Sequence, residues 1–293
     1  MINFNDPTQV DNILVEYLQD LFDSGVKLDS GIRIHAAIRF FHPHLGKSAS
    51  GSLPRCLRAL RGWKNADPPL QRMPLPIEGL GAILGFCIAT NRREMAIHLF
   101  IQWLTYMRPG ETSNLLVGQV IPPMSSFLGS LQFFAVLLNP SEAKVPGKTG
   151  IFDQGILIDS DMWINPILRN LIQNRPRNAP LWSHNHNQIL EVFNQAVVYL
   201  KLESLGVSMY TLRHGGASFD IMSRRRSMEE VKQRGWWATD SSLRRYVKTA
   251  RLQSELHKMH PAVIQFGKMV MLELPNLLTQ FPKILKLPFG MTK

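Results

Sequence analysis

Residues 65–76 read NADPPLQRMPLP, with Pro68, Pro69, Pro74 and Pro76 among twelve positions. Proline lacks a backbone donor and fixes φ, so neither a helix interior nor a central strand runs through such a stretch. A stiff, extended connection does. The chain is therefore expected to fold as two parts, one on each side. At 293 residues it is long enough for each part to bury its own core. The expected division is a helical part at 1–64, the linker at 65–76, a larger part at 77–255, and a tail at 256–293.

The first part reads as helices. TQVDNILVEYLQDLF places Val10, Ile13, Leu14, Tyr17, Leu18 and Leu21 on one face. SGIRIHAAIRFFHP is a second amphipathic segment, stopped by Pro43. SLPRCLRALRGWKN is a third, with Ser52 as the expected cap and Pro54 in the first turn. Its apolar stripe is Cys56, Leu57, Leu60 and Trp63. Arg55, Arg58, Arg61 and Lys64 recur every three residues and spread over a basic side.

Beyond the linker, 77–92 and 93–107 are apolar at helical spacing, and Pro109 and Gly110 interrupt the pattern before a short restart. The period then changes. LQFFAVLLNP at 131–140 and GIFDQGILID at 150–159 are strand-like, and the polar SEAKVPGKTG between them suits a hairpin tip. Helices resume after Pro166, one ending toward Gly206 as a C-terminal cap. The expected fold class is mainly α with a small antiparallel β-sheet (α+β).

Lysine and arginine exceed aspartate and glutamate by 33 to 22, a net charge of +11. That excess favours a polyanionic partner, either nucleic acid or an anionic membrane surface. The longest apolar run, GLGAILGFCIA, is too short to cross a bilayer. The opening MINFNDPTQV has neither a basic nor an apolar leader segment. Cys56 and Cys87 sit in apolar, helix-like surroundings, where buried thiols are expected rather than a disulfide. A soluble, intracellular protein with DNA or RNA as partner is the reading, in the nucleus of a eukaryote or the cytoplasm and nucleoid of a bacterium.

The residues with chemistry cluster late in the chain. In SMYTLRHGGASFDIM, Tyr210, Arg213 and His214 share one helical face, with Ser208 as the expected cap and Leu212 as an anchor. An arginine fork binds two phosphate oxygens and keeps its charge. In RSMEEVKQRGWW, Ser227 and Glu230 fit a capping box, and Gly235 delivers Trp236 and Trp237 into a turn. Asp240 then caps a helix carrying Arg244, Arg245 and Tyr246. His184 and His186 in SHNHNQ lack carboxylates or cysteines at ligand spacing, so no metal site is assigned. No GxxxxGK[ST] phosphate loop is present.

Taken together these segments resemble the tyrosine recombinase (phage integrase) family. That family uses a first arginine, a lysine on a β-hairpin, a His-x-x-Arg unit, a His or Trp, and a tyrosine nucleophile nine residues later. TYMRPGETSNLL resembles the first-arginine segment, with Arg108 in that role and Glu111 as the following acid. KTG resembles the lysine hairpin, with Lys148 in that role and Lys144 in reserve. TLRHGGAS resembles the second-arginine segment, with Arg213 in place. Trp237 comes 24 residues after Arg213, and Tyr246 comes nine after Trp237. The chain departs from the pattern at Tyr210, which stands where the family has histidine. A phenol with a pKa of about 10 donates a hydrogen bond but shuttles protons poorly near neutral pH. His214 is the nearby partial substitute. RHGGAS with a fifth-position tryptophan resembles divergent recombinases of eukaryotic mobile elements.

The resemblance implies a core-binding domain at 1–64 and a catalytic domain at 77–255; for the tail, docking on a neighbouring protomer, packing on its own domain and a loose end are equal expectations. It implies DNA breakage and rejoining on double-stranded DNA by a homotetramer, without metal, ATP or other cofactor. Tyr246 would be the nucleophile and form a 3′-phosphotyrosyl ester. Arg108 and Arg213 would clamp the non-bridging oxygens, with Trp237 and Tyr210 as neutral donors. Lys148 would protonate the leaving 5′-oxygen. Arg55, Arg58, Arg61, Lys64, His214, Arg244 and Arg245 would contact DNA. Two other readings stay open: a catalytically silent DNA-binding protein of the same fold, and a type IB topoisomerase-like activity.

Overall fold

The computed structural model describes residues 2–46, 53–68, 73–124, 132–145, 147, 150–243, 249–280 and 285–290. They divide into two compact units, Met1–Gln71 and Arg72–Lys293.

The first unit holds α1 (Pro7–Asp23), α2 (Leu28–Phe41) and α3 (Pro54–Ala66). Val10, Leu14 and Leu18 of α1 meet Leu28, Leu45, Leu53, Cys56 and Trp63 in one small core. Gly31 of α2 lies against the Leu18 and Trp63 side chains. The start of α3 is secured from a distance. Its N-cap residue is Leu53, which has no side-chain bond to offer, and Ser52, the expected cap, lies outside the described residues. The buried Asp11 of α1 accepts the backbone N–H groups of Arg55 at 2.9 Å and Cys56 at 2.8 Å instead. A helix start leaves such donors unpartnered, and a carboxylate there also meets the positive end of the dipole. Asp11→Ala is expected to lower the melting temperature of this unit, at a cost of about 1–3 kcal/mol. Asp11→Asn, which keeps an acceptor, is expected to lose less. Thermal melts of the full chain followed by circular dichroism make the comparison.

The second unit is built around two largely buried helices, α4 (Ile77–Ala89), apolar on all sides, and α5 (Arg93–Thr105), which also buries the polar His98 and Gln102. Such helices are stable only when fully covered. After α6 (Pro109–Ser113) come β1 (Val120–Ile121), β2 (Phe134–Leu138) and β3 (Gln154–Ile158), an antiparallel sheet in the order β1-β2-β3. Phe134 pairs with Ile158 and Leu138 with Gln154. Phe134, Val136, Leu138, Ile156 and Ile158 all face the core, as the period of two demands. The two-residue β1 is additional to the expected pair of strands. The chain is thus mainly α with a small antiparallel sheet.

The covering helices are α7 (Asn165–Ile172), α8 (His186–Tyr199), α9 (Met209–Met222), α10 (Met228–Arg234), α11 (Asp240–Leu243), α12 (Thr249–Leu256) and α13 (Pro261–Thr279). α8 ends at Tyr199, short of Gly206, which instead closes a 3₁₀ turn with φ of 59°. The stretch expected as a tail folds back on its own unit. Val263, Phe266, Val270, Leu274, Leu277 and Leu278 of α13 are buried in the main core, and Leu285, Leu287 and Phe289 pack against it. Glycine makes this possible: a Cβ on Gly267 would lie 1.9 Å from the Glu78 carbonyl oxygen, and one on Gly81 would lie 2.2 Å from the Gly267 oxygen. α4 and α13 therefore touch backbone to backbone. Among the described residues no helix is long and apolar enough to cross a membrane.

Candidate functional site

Arg213 lies in the first turns of α9 and is 4% exposed. Two neighbours bring it so deep. Gly215 and Gly216 let α9 lie directly on the C-terminal end of α5; a Cβ on Gly216 would sit 2.2 Å from the Trp103 carbonyl oxygen. The helix start itself differs from expectation. The Ser208 hydroxyl bonds to nothing among the described residues. Thr211 closes the turn by donating its hydroxyl to the Ser208 carbonyl at 2.6 Å.

The guanidinium of Arg213 ties two distant segments together. Nη1 donates to the carbonyl of Tyr106, 107 positions away. Nη2 donates to the carbonyl of Gly235 at 2.5 Å. Its Cζ also stands 4.5 Å from the Trp237 ring centroid, a cation–π stack. Tyr106 is two residues before Arg108, and Gly235 is two before Trp237. Arg213 and Trp237, both singled out from the sequence, are thereby brought into contact, and the backbone two residues before Arg108 is tied to the same guanidinium.

Arg108 is the N-cap residue of α6 and is partly exposed. Its side chain pairs with the Glu111 carboxylate, whose other oxygen accepts the Arg108 backbone N–H at 2.7 Å. The acid thus fixes both the helix start and the direction of the guanidinium. Tyr210 and His214 are both half-buried on α9, their rings 5.0 Å apart. The Ser227–Glu230 capping box is formed, with bonds of 2.6 and 3.2 Å. α10 stops at Gly235, and it is Trp236 that takes the left-handed conformation, with φ of 54°. That reversal turns Trp237 back over Gly235, where its ring leaves no room for a Cβ.

Other expected residues stand apart from this cluster. Arg55, Arg58, Arg61 and Lys64 are exposed on α3 of the first unit, where Arg55 also bonds Asn12. Glu16, Asp20 and Asp23 are exposed on α1, so α3 is basic and α1 acidic, while α2 carries both signs in its Asp29–Arg33 pair. Lys144 is exposed, with φ of 54°, in the connection between β2 and β3. Lys148, Arg244, Arg245 and Tyr246 lie outside the described residues.

A buried polar cluster that sequence reading did not single out adjoins Arg213. The Tyr106 hydroxyl donates to Asp220. Arg226 Nε donates to the same Asp220 oxygen at 3.0 Å, and its two terminal nitrogens hold Asp159. Arg234 reaches Asp159 at 3.3 Å, donates to the Leu104 carbonyl at 3.1 and 2.9 Å, and lies over the Tyr106 ring. Burial, with the Asp220 charge next, pushes the Tyr106 phenol far above its ordinary value, so it stays protonated. Burial would raise the Asp159 carboxyl, but the Arg226 hydrogen bond and the Arg234 charge hold it below the usual value. The only sequence signal here was an arginine placed directly before Gly-Trp-Trp.

The two histidines of SHNHNQ have separate partners. His184 Nε2 shares a hydrogen bond of 3.0 Å with His98 Nδ1, and His98 stacks on Trp182 at 4.6 Å. His186 bonds the Ser113 hydroxyl at 3.0 Å. Burial, then the charges of His184 and His186, keep His98 well below the usual imidazole value. Among the described residues no group of three or more His, Cys, Asp or Glu is arranged to hold a metal ion.

No protein-family model matches the chain, and no curated protein matches it. Among solved structures, it is similar to the XerH site-specific recombinase in a pre-cleavage complex with its difH substrate. The identity is 12%, the TM-score is 0.44, and the match covers 83% of this chain and 69% of that one.

Proposed function

We propose that the protein breaks and rejoins double-stranded DNA through a 3′-phosphotyrosyl intermediate, as a site-specific recombinase or integrase of the tyrosine recombinase type. The observation that carries this reading is the Arg213 guanidinium, which binds the carbonyls two residues before Arg108 and two residues before Trp237. Attack on a phosphodiester builds negative charge on the non-bridging oxygens. Positive and hydrogen-bonding groups fixed in a poorly hydrated site stabilise that charge most, because they need not reorganise. A guanidinium has five N–H donors, two of which serve these carbonyls. Arg108 supplies the second guanidinium, aimed by Glu111. The stack on Arg213 orients the Trp237 ring, whose indole N–H is a neutral donor.

In the reaction, the Tyr246 phenol loses its proton to water as its oxygen bonds to phosphorus, and the bond to the 5′-oxygen breaks. Lys148 delivers a proton to the departing oxygen. The ester preserves the energy of the cleaved bond, so a second 5′-hydroxyl can reverse the step without ATP. Before this chemistry, the basic side of α3 draws the first unit onto the phosphate backbone, with the acidic side chains of α1 elsewhere on that unit. Arg244 and Arg245 add phosphate contacts beside the nucleophile. Four protomers on two duplexes complete the exchange. The functional division is a core-binding domain at 1–64 and a catalytic domain at 77–255.

The test is a duplex with a nick close to the cleavage site, which traps the covalent complex by losing the short leaving strand. A denaturation-resistant protein–DNA adduct is expected from the parental protein and none from Tyr246→Phe. Tyr210 favours a second reading, a DNA-binding protein that does not cleave, because its phenol stands where a proton-transferring imidazole is the usual group. DNA binding without an adduct on any substrate would decide for that reading. Plasmid relaxation without strand exchange would decide for a topoisomerase-like swivel.

A further inference from the structure

We propose that the buried cluster of Tyr106, Asp220, Arg226, Asp159 and Arg234 is a positioning device for Arg213, and through it sets the rate of DNA cleavage. The second half of this proposal rests on the cleavage function above; the first half does not.

The argument starts from what holds Arg213. Its guanidinium is anchored on two carbonyls, so its position is only as fixed as Tyr106 and Gly235 are. Neither residue lies in a regular element. Tyr106 follows the last residue of α5 in a left-handed conformation, with φ of 53° and ψ of 25°. That region is uncommon and mildly unfavourable for a residue with a Cβ, so surrounding contacts must hold it there. Gly235 is the residue at which α10 stops.

The cluster grips both anchors. The Tyr106 hydroxyl is tied to Asp220, about two helix turns beyond Arg213 on α9. The Tyr106 ring lies under Arg234, the residue immediately before Gly235. Arg234 in turn holds the Leu104 carbonyl of α5 and Asp159 just past β3. Arg226 closes the ring by bonding both Asp159 and Asp220. The end of α5, the end of β3, α9 and the end of α10 are thus locked to one another by side chains. Two carboxylates face two guanidinium groups, so the charges of the cluster cancel and its effect on Arg213 is geometric. Side-chain exposure runs from 7% at Arg234 through 13% at Arg226 and Asp220 to 25% at Asp159. At the buried Tyr106–Arg234 end, hydrogen bonds have defined geometry and little competition from water.

None of the five residues is assigned contact with DNA; each acts through the carbonyls that Arg213 holds. They are positioning residues. Misplacing a reacting group by about 1 Å can slow a reaction about a hundredfold.

Two isosteric changes test the idea. Tyr106→Phe keeps the ring beneath Arg234 and removes only the hydroxyl. Asp159→Asn keeps the shape and weakens the hold on Arg226 and Arg234. The first readout needs no DNA: the side-chain N–H resonances of Arg213 in ¹⁵N-labelled full-length protein, identified by their loss in Arg213→Lys. Sharp, resolved signals are expected in the parental protein, and shifted or broadened ones in both variants. The second readout is single-turnover cleavage of the nicked duplex. The rate constant is expected to fall about tenfold in each variant, with the DNA concentration for half-maximal rate within about twofold. The double variant should lose less than the product of the single effects, because both changes loosen one network.

Unchanged Arg213 resonances in Tyr106→Phe would overturn the positioning claim. Altered resonances with a parental cleavage rate would overturn its link to catalysis. If the parental protein forms no adduct, the cleavage function fails and takes that link with it, while the resonance measurement still decides what holds Arg213. Should Asp159→Asn not fold, Tyr106→Phe alone decides each point.

Discussion

Arg213→Ala is expected to reduce cleavage of the nicked duplex by a factor of about a thousand. Loss of a single transition-state donor accounts for most of that. The change also removes the cation–π partner of Trp237 and the ties to the Tyr106 and Gly235 carbonyls. Those carbonyls would be left buried and unpartnered, each at a cost of about 1–3 kcal/mol, so part of any loss would reflect a loosened fold. Arg213→Lys separates the two effects. A lysine keeps the charge but presents a compact ammonium in place of a planar fork, and cannot span both carbonyls while facing a phosphate. It is expected to keep most of the thermal stability and still lose cleavage by at least about a hundredfold. DNA affinity is expected to weaken only modestly in both, because the proposed phosphate contacts of α3 are left in place. Arg108→Ala should behave likewise, with a smaller stability change because its side chain is partly exposed and bonded to Glu111 alone among the described residues. Quantifying the covalent adduct against melting temperature for these variants makes the comparison. Cleavage at the parental rate in Arg213→Lys would remove the fork from the mechanism, and cleavage at that rate in Arg108→Ala would remove the second clamp.

The helices were legible wherever the information was local. The apolar period of α1, the proline that ends α2 and the Ser227–Glu230 capping box all act within a few residues and took the expected form, except that Tyr17, placed on the apolar face of α1, is exposed. The switch to a period of two announced β2 and β3. What escaped depends on partners far apart in the chain. Asp11 caps a helix 44 positions away. Tyr106 meets Asp220 across 114 positions, and Arg234 meets the Leu104 carbonyl across 130. No periodicity or spacing rule joins such residues; the packing of α1 on α3 in the first unit, and of α9 and α10 on the end of α5 in the second, does. Tandem glycines in RHGGAS were the visible trace of the packing of α9 on α5, although they read as part of a motif rather than as a contact surface. For α13 the prolines and mixed polarity left docking on a neighbour, packing on its own unit and a loose tail equally open; the fit of Gly267 to the backbone of α4, which selects the second, is a long-range contact. For the candidate site, the family resemblance pointed to Arg213 and Trp237, while the distant carbonyls that hold Arg213 in place left no trace in the sequence.

Gly216→Ala should therefore damage both stability and activity, although alanine is ordinarily the better helix former. The added methyl would lie 2.2 Å from the Trp103 carbonyl oxygen and 3.1 Å from the Tyr106 ring. A carbonyl in the last turn of a buried helix cannot rotate aside, so α9 and the end of α5 must separate by about 1 Å. Overpacking of this kind costs about 1–3 kcal/mol and sometimes more. Against it stands a helix-propensity gain of about 1 kcal/mol. The steric term wins because the contact is backbone, and a fall of about 5 °C in the melting temperature of the second unit is expected. Gly62 provides the control: it lies within α3 and a Cβ there meets nothing within 4 Å. Gly62→Ala should stabilise the first unit by about 0.5–1 kcal/mol. The same substitution thus acts with opposite signs at two helical glycines, and the difference measures the closeness of α9 to α5. Cleavage by Gly216→Ala, assayed well below its melting temperature, should fall at least about tenfold, because separating these helices pulls the Tyr106 carbonyl away from Arg213. A Gly216→Ala protein that melts at or above the parental temperature, with cleavage intact, would show that the two helices are not in contact there and that Arg213 is held by other means.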